Sequence, residues 1–180
     1  MRIGGASGIT LVELLVTLAI AVILLAVAVP SFQDFILNTR RTALANELVL
    51  ALTYAKSEAV KRGVTVTVCS RLDDSTCADS ATWDDGWVIF VDDDPSGSPG
   101  TVDDNELVLQ VRSPLPNGST LRAGRKRVTF QATGFCPGFT NTFRLCDTRG
   151  TADLERTNVV VSQVGRIRTD KAVAHEGECP

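Results

Sequence analysis

The longest apolar run in the chain covers residues 9–29. These 21 residues contain no Lys, Arg, Asp, Asn or Gln and a single acid, Glu13. An α-helix rises about 1.5 Å per residue, so a helix of this length spans the roughly 30 Å hydrocarbon core of a bilayer. The pattern therefore predicts one membrane-spanning helix over residues 9–29.

Residues 30–62 have an amphipathic helical pattern. Small and apolar side chains recur every three or four residues, as expected for one buried helix face. These positions are Leu44, Leu48, Leu52, Ala55 and Ala59. Pro30 lacks a backbone donor, which predicts a kink or a loosened turn at the start of this segment. Lys61 and Arg62 precede Gly63, the pattern of a helix C-terminus, so we end the predicted helix at residue 62.

Beyond Gly63 the pattern changes to short alternating or β-branched runs, which are typical of strands. The predicted strands cover residues 64–70, 87–91, 107–111, 128–132, 142–146 and 158–163. Turn-forming residues separate them, most clearly in residues 92–105 and 114–118. The sequence therefore predicts an α+β protein in which a long N-terminal helix packs on an antiparallel β-sheet head, residues 63–180.

Charge is distributed unevenly along the head, although the net charge of the chain is only −3. Residues 69–110 carry one Arg against ten Asp and one Glu, a net charge of −10. Residues 111–171 carry eleven Lys and Arg against four acids, a net charge of +7. A swing of this size predicts two faces with different partners.

The five cysteines show no spacing typical of zinc sites. Two pairs are separated by short, hairpin-like stretches, and each could close a small loop at modest entropic cost. We predict disulfides joining Cys69 to Cys77 and Cys136 to Cys146, which leaves Cys179 over. Disulfides persist outside the reducing cytosol, so the head is predicted to be exported.

The sequence also lacks the residue combinations of common catalytic sites. Its single histidine, His175, lies among Glu and Gly near the C-terminus, and no Ser/His/Asp or Cys/His arrangement is evident. We expect no enzymatic activity, no cofactor and no bound metal. Residues 92–103 loosely resemble a calcium-binding EF-hand loop, but Pro95, Pro99 and Asp103 in place of the usual terminal Glu argue against calcium.

The flanks of the apolar run bear on whether it is retained. Arg2 lies on the short preceding segment, which predicts a cytoplasmic N-terminus and an exported head. A secretory signal would be cut after the run, and the AVAVP sequence ending at Pro30 permits such a cut. Glu13 favours retention, because a carboxylate in lipid costs several kcal/mol and tends to persist where it has a role or a partner. A plain signal anchor with a tolerated acid is the alternative.

The residues around Glu13 also form a recognisable motif. The segment GITLVELL, beginning at Gly8, resembles the prepilin motif of type IV pilins and type II secretion pseudopilins. The resemblance implies that a prepilin peptidase removes residues 1–8 by cutting between Gly8 and Ile9, and that Ile9 is N-methylated. It also implies that Glu13 pairs with the N-terminal amine of a neighbouring subunit during assembly, so that neither charge is alone in apolar surroundings.

The head contributes a second resemblance. The segments YAKSEAVKRG, VTVTVCS, WDDGWVIFVD and VVVSQVGRIR are similar to those of the GspH/FimT branch of minor pilins and pseudopilins, over most of residues 9–168. The resemblance implies a pilin-like fold. Its domains would be the cleaved leader (1–8), the transmembrane part of the helix (9–29), its amphipathic continuation (30–62) and the β-rich head (63–180).

A late basic segment, residues 165–168, reads GRIR. Alternation along an extended strand would place Arg166 and Arg168 on one side, where their guanidinium groups could bind phosphate oxygens. The same segment could instead be a sheet edge that its charges protect from pairing. GRIR resembles the GRxR element of FimT-like proteins that bind DNA in natural transformation, which implies non-specific binding of double-stranded DNA. Further predicted contacts are Arg125, Lys126, Arg127 and Lys171, with Arg122 nearby in the sequence.

We therefore expect a minor pilin of a type IV pilus, with other pilins, prepilin peptidase and the inner membrane as partners. The head would be periplasmic before assembly, and the protein would belong to the pilus afterwards. A pseudopilin of a type II secretion system is the main alternative. A single-pass binding or sensor protein outside any filament is a third, and it predicts an intact bond between Gly8 and Ile9.

Overall fold

The computed structural model describes residues 8–92, 102, 106–136, 138, 140–147 and 155–173. It divides into two compact units, Met1–Thr39 and Arg40–Pro180. A single long helix, α1 (Leu11–Arg62), contributes to both units, and the strands of the head all belong to the second.

The predicted helix is present with nearly the predicted bounds. It begins at Leu11, two residues after the predicted start, and Pro30 lies inside it. Its end is confirmed, because Gly63 follows Arg62 with φ of 70°, a conformation that favours glycine at a helix C-terminus. The N–H of Gly63 donates a 3.0 Å hydrogen bond to the carbonyl oxygen of Ala59, which closes the last turn.

The predicted buried face of α1 is also confirmed. All five predicted positions are buried, and Leu48, Leu52, Ala55 and Ala59 are completely inaccessible. Two ion pairs flank this face: Arg41 lies 3.8 Å from Asp147, and Glu47 accepts a 2.9 Å hydrogen bond from Arg112. Hydrophobic burial of small side chains lets the helix approach the sheets closely, and the ion pairs fix its rotation.

The described strands form two four-stranded antiparallel sheets. The first sheet has the order β3-β2-β1-β5, and the second has the order β4-β6-β7-β8. Their bounds are β1 Val66–Ser70, β2 Trp87–Val91, β3 Val108–Arg112, β4 Ser119–Ala123, β5 Arg127–Phe130, β6 Asn141–Asp147, β7 Glu155–Val161 and β8 Ile167–Val173.

The sequence prediction missed two strands and located six. Strand β2 has the predicted bounds, and the other predicted strands differ at one or both ends. The two missed strands, β4 and β8, are the edges of the second sheet. They read STLRA and IRTDKAV, with the polar and charged residues that protect sheet edges but weaken the alternating pattern on which strand prediction relies.

One hydrophobic core unites the buried face of α1 with both sheets. The largest side chains with less than 2 % exposure include Trp83, Trp87, Phe130 and Phe143. Trp83 packs edge-on against Phe143, with ring centroids 4.8 Å apart. The stretch containing Trp83 also bonds to β4, because the Trp83 N–H donates to the Leu121 carbonyl at 2.9 Å.

Candidate functional site

The first unit presents apolar side chains all around its helix. Between Ile9 and Phe35 the large apolar side chains are 49–78 % exposed, and the mean hydropathy of the most apolar window of α1 is 2.9. By length and composition α1 could cross a membrane, and this window has no buried residue. A helix that is apolar on all sides needs lipid or other helices around it.

Thr10 and Glu13 form a reciprocal capping box at the start of this helix. The backbone N–H of Thr10 donates to Glu13 Oε2 at 3.0 Å, and its hydroxyl donates to the same oxygen at 2.9 Å. The N–H of Glu13 donates in turn to Thr10 Oγ1 at 3.3 Å. The sequence analysis missed this role, although Thr-x-x-Glu before an apolar run is its usual signal.

The predicted cleavage site lies just before this cap. Gly8 and Ile9 are exposed and precede the first residue of α1. No side chain or backbone atom lies within 4 Å of a Cβ placed on Gly8. The described residues thus leave the predicted cleavage site exposed, and cleavage there stays a prediction.

The GRIR segment occupies the turn between β7 and β8. The N–H of Ser162 donates to the Arg166 carbonyl at 2.9 Å, and the Gly165 N–H donates to the Ser162 carbonyl at 2.9 Å. Arg166 therefore ends the turn and Ile167 begins β8. Both Arg166 and Arg168 are exposed, and alternation along this extended segment predicts that they lie on one side.

Three contacts fix the conformation of this turn. Gly165 has φ of 70°, and a Cβ there would lie 2.0 Å from the carbonyl oxygen of Gly134. The ammonium of Lys56 on α1 donates to the Gly165 carbonyl at 2.9 Å. The N–H of Cys136 donates to the Gln163 carbonyl at 2.8 Å. The turn that carries Arg166 is thus held by the helix and by the loop after β5.

The strand register places Arg125 at the same end of the second sheet as Arg166. Arg125 follows β4, and its N–H donates to Asn141 Oδ1 at 3.1 Å. Asn141 pairs with Val161, which pairs with Ile167. Three interstrand spacings of about 4.8 Å separate β4 from β8, so the two basic positions lie about 14 Å apart. We call Arg125, Arg166 and Arg168 the basic end of the second sheet.

The three arginines of the basic end differ in whether a carboxylate pairs with them. Arg168 Nε lies 2.8 Å from Asp170 Oδ2, so its charge is partly neutralised. Among the described residues no carboxylate pairs with the guanidinium of Arg166 or Arg125. These two arginines are therefore the groups best able to attract an anion.

The other basic residues that the sequence predicts as DNA contacts are less favourably placed to bind an anion together with Arg166. Lys126 pairs with Asp79, whose pKa its ammonium holds below the usual range. Arg127 lies on β5 in the first sheet, opposite Cys69. Lys171 lies four residues after Ile167 on β8, about 13 Å along the strand, so it does not belong to this end.

Two ion pairs join the acidic and the basic halves of the head, whereas the expectation of two oppositely charged faces stays a prediction. Lys126 from the basic half contacts Asp79 from the acidic half, and Arg122 contacts Asp84. The segment containing Asp84 runs beside β4, with Thr82 paired to Arg122. Charges that are far apart in sequence thus neutralise each other across neighbouring segments, which a sum along the chain does not detect.

The pairing of β6 with β4 places a further arginine, which the sequence analysis did not name, beside Arg122. Arg144 on β6 pairs directly with Arg122 on β4. Its neighbours Phe143 and Leu145 are buried in the core, so strand alternation directs Arg144 to the outer face of the second sheet. The alternation of polar and apolar residues over 141–147 could have predicted from the sequence that Arg144 faces outward.

Of the two predicted disulfides, the structure contains the bond between Cys69 and Cys77, with a Cα–Cα distance of 5.6 Å. The bond between Cys136 and Cys146 is wrong, because Cys136 is a free thiol and Cys146 bonds to a different cysteine. Cys136 contacts Gln163 near the Asn141 end of β6. Cys146 lies five residues further along that strand, about 17 Å away, whereas disulfides require Cα atoms within about 7 Å. Cys179 lies outside the described residues.

Burial makes the Cys136 thiol inert. Desolvation raises its pKa to about 12, although the positive charge of Lys56 acts in the opposite direction. Only the thiolate reacts with alkylating agents, and at pH 8 this group stays protonated. We expect iodoacetamide to leave Cys136 unmodified in the folded, non-reduced protein and to label it after unfolding. Peptide mapping by mass spectrometry checks this, and a Cys136–Cys146 peptide would contradict it.

The described residues contain no group of three or more metal-ligating side chains. Most of the loosely EF-hand-like segment, residues 92–103, lies outside the described part of the chain, as does His175. Asp92, the first residue of that segment, accepts a 2.6 Å hydrogen bond from the Thr67 hydroxyl, which attaches it to β1.

A long N-terminal helix packed on antiparallel sheets defines the class of pilin-like proteins. Within that class, residues 44–165 match the model of the family described as Type II transport protein GspH, and the chain belongs to this family. No curated protein sequence matches the chain.

Solved structures show the same likeness. The chain is similar to the type IV minor pilin FimU of Pseudomonas aeruginosa PAO1, with a TM-score of 0.56 and 25% identity over 81% of this chain and 96% of FimU. A second crystal form of FimU matches with a TM-score of 0.53 and 25% identity, over 77% of this chain and 96% of that one. The minor pseudopilin EpsH of the Vibrio cholerae Type 2 Secretion System matches with a TM-score of 0.50 over 73% of this chain and 96% of EpsH. Its 13% identity indicates a shared fold alone.

Proposed function

We propose that this protein is a minor pilin of a type IV pilus, anchored in the inner membrane by residues 9–29 and incorporated with other pilins into the filament. The similarity to the minor pilin FimU, which extends over nearly all of that structure, is the observation that carries the proposal. The exposed apolar helix supports it, because such a surface requires lipid before assembly and neighbouring helices afterwards. The role is structural, in assembling or initiating the pilus, and involves no catalysis.

Processing at the N-terminus is the direct test. In membranes of cells that contain prepilin peptidase, we expect a mature chain that begins at N-methylated Ile9, as measured by intact mass and N-terminal sequencing. In cells without the peptidase, Met1 should be retained. An intact bond between Gly8 and Ile9 in both strains would favour a sensor or signal anchor, and a chain beginning after residue 29 would indicate a secreted domain.

The family model favours a second candidate function. Its description as a type II transport protein corresponds to a pseudopilin that acts in protein secretion. The two functions differ in what deletion removes. Loss of pili and twitching with normal secretion supports the minor pilin, and loss of secretion with intact pili supports the pseudopilin.

The basic end adds a proposed DNA contact. Arg125 and Arg166 lie at one end of the second sheet, at backbone positions about 14 Å apart. Both are exposed, and neither has a carboxylate partner among the described residues. Guanidinium groups bind phosphate oxygens without reading bases, so binding would be independent of sequence and sensitive to salt. Arg168 would contribute less, because Asp170 shares its charge.

Single substitutions should rank the arginines of the basic end. We expect Arg166→Gln to weaken binding of duplex DNA and to lower the slope of log affinity against log salt by about one, since one phosphate contact is lost. Arg168→Gln should have a smaller effect, and Asp170→Asn should strengthen binding by releasing Arg168. Fluorescence anisotropy with the full chain in detergent, at several salt concentrations, measures these changes.

Lys171→Gln is the matched control, because it removes one positive charge from the same strand at a position about 13 Å from the turn. It should change affinity less than Arg166→Gln. Equal effects would show a diffuse attraction to the whole head, and an unchanged affinity for Arg166→Gln would remove the basic end as a DNA contact.

A further inference from the structure

Three exposed apolar side chains surround the turn that carries Arg166. Phe135 is 50 % exposed, Val164 is 60 % exposed and Val60 is 53 % exposed. They come from the loop after β5, from the β7–β8 turn and from the end of α1. Two other phenylalanines near Phe135 in sequence that the structure describes, Phe130 and Phe143, are fully buried.

These three segments are joined by short contacts. Gly134 and Gly165 touch so closely that a Cβ on Gly165 would lie 2.0 Å from the Gly134 oxygen. A Cβ on Gly134 would in turn lie 3.3 Å from Cγ2 of Val60. The Cys136 N–H bonds to the Gln163 carbonyl at 2.8 Å. The exposed side chains are therefore held on a common, ordered surface.

Phe135 lies between two anchored residues. Gly134 contacts Gly165 on one side, and the Cys136 side chain enters the core on the other, completely buried. The carbonyl of Phe135 itself accepts a 2.9 Å hydrogen bond from the N–H of Gln131, so its backbone is fixed while its ring is half-exposed. The half-exposed ring is thus imposed by its anchored neighbours and is not the result of a loose loop.

Arg166 and Phe135 each follow one partner of the Gly134–Gly165 contact. Because Gly134 meets Gly165 and Cys136 meets Gln163, the two segments run antiparallel, and Phe135 and Arg166 lie on opposite sides of the glycine contact. Strand-like spacings put their Cα atoms roughly 8 Å apart, so an exposed aromatic ring and an exposed guanidinium group belong to the same small surface. An apolar protein partner would account for the ring alone. A nucleic acid accounts for both groups, because bases stack on aromatic faces while phosphates bind arginine.

Building on the DNA contact proposed above, we propose that Phe135 is a stacking platform for an unpaired base of single-stranded DNA, whose phosphates bind Arg166. A base within a duplex already stacks on its neighbours and is not available to the ring. The platform therefore adds affinity for single strands, or for frayed ends, beyond the phosphate contacts that both forms of DNA share.

The test compares the full chain and its variants in detergent for binding of a fluorescently labelled oligothymidylate and of a duplex of equal length. Phe135→Ala should weaken single-strand binding by about 5- to 100-fold, the range measured for loss of one stacked base. The salt dependence and the affinity for the duplex should stay unchanged. Phe135→Tyr should retain binding, and Phe135→Leu, which is apolar but cannot stack, should lose it.

Val164→Ala is the control for general apolar contact and should leave single-strand affinity unaltered. Unchanged single-strand binding in Phe135→Ala, or equal losses for single strands and duplex, would overturn the platform. If Phe135→Ala binds both forms normally but fails to enter pili, the patch is a subunit contact and the proposal is wrong. The DNA contact itself fails separately, when Arg166→Gln changes neither affinity.

Discussion

Replacing Gly165 by alanine is expected to destabilise the head by about 2–5 kcal/mol. Its φ of 70° is unfavourable for alanine, which costs about 1–2 kcal/mol. The added Cβ would also lie 2.0 Å from the backbone oxygen of Gly134, which cannot rotate away as a side chain could. Forcing the two turns apart costs a further 1–3 kcal/mol or so. Thermal unfolding of the full chain in detergent, followed by circular dichroism, measures the loss.

Gly63→Ala is the matched control for this prediction. Gly63 has the same φ of 70°, but a Cβ there would have no atom within 4 Å. It should therefore cost only the backbone strain of about 1–2 kcal/mol. Equal losses at the two positions would show that the turns separate easily and that Gly165 is not tightly packed. A larger loss at Gly165 would explain physically why glycine begins the GRIR segment.

The second large effect is expected at Trp83. Replacing this completely buried side chain by alanine should cost about 3–5 kcal/mol, because a large cavity remains beside Phe143. Trp83→Phe separates the two contributions of the side chain. Phenylalanine keeps an aromatic ring in the core, but it loses the hydrogen bond from Trp83 Nε1 to the Arg125 carbonyl at 3.1 Å. That carbonyl would keep only the longer, 3.4 Å hydrogen bond from Asn141 Nδ2, so the lost bond adds about 0.5–1.5 kcal/mol to the cost of the smaller ring.

Trp87→Phe supplies the comparison. Trp87 is equally inaccessible, but its buried Nε1–H has no hydrogen-bond partner among the described residues. The substitution removes an unsatisfied donor, so it should cost less than Trp83→Phe. Its ring also lies under Arg112, at 5.4 Å, and phenylalanine keeps a weaker form of that contact. Far-UV circular dichroism during thermal unfolding compares the stability of the two variants. A larger loss of stability for Trp87→Phe would contradict the inference that Trp83 is the tryptophan with the stabilising hydrogen bond.

The helix could be predicted from the sequence because its signals are local and long. Residues 9–29 exceed any ordinary apolar run, and the buried face from Leu44 to Ala59 repeats over several turns. Gly63 then supplies a chemical end signal. Each of these depends on neighbours within four residues, so no knowledge of tertiary structure is required.

The edge strands and the second disulfide depend on tertiary structure instead. Strand β8 contains Arg168, Asp170 and Lys171, whose charges obscure its alternation, and only pairing with β7 defines it. Loop length suggested a bond between Cys136 and Cys146. Cys146 lies near one end of β6, whereas Cys136 precedes that strand and lies near its other end, and a sequence does not state such a register before the partners are known.

Only part of the candidate site could be predicted from the sequence, because the rest of it also depends on tertiary structure. Arg166 and Arg168 were predicted from strand alternation and the GRIR resemblance, and Arg125 from its basic cluster, and their role stays a prediction. What separates Arg125 from Lys126 is the position of Asp79, which belongs to another segment. Phe135 gave no signal at all, because nothing in the sequence distinguishes an exposed phenylalanine from a buried one.

The capping box at Thr10 has a consequence for the reversibility of assembly. Both Thr10 and Glu13 follow the proposed cut after Gly8, so the mature subunit keeps the box. Glu13 would therefore keep its hydrogen-bond donors even in a subunit that contacts no other subunit. If Glu13 pairs with the amine of a neighbouring subunit, as the prepilin resemblance implies, joining a filament would exchange the donors of Thr10 for that amine, and leaving the filament would exchange them back. Because Glu13 would have hydrogen-bond donors in both states, a subunit withdrawn from the filament would not carry a carboxylate that lacks donors.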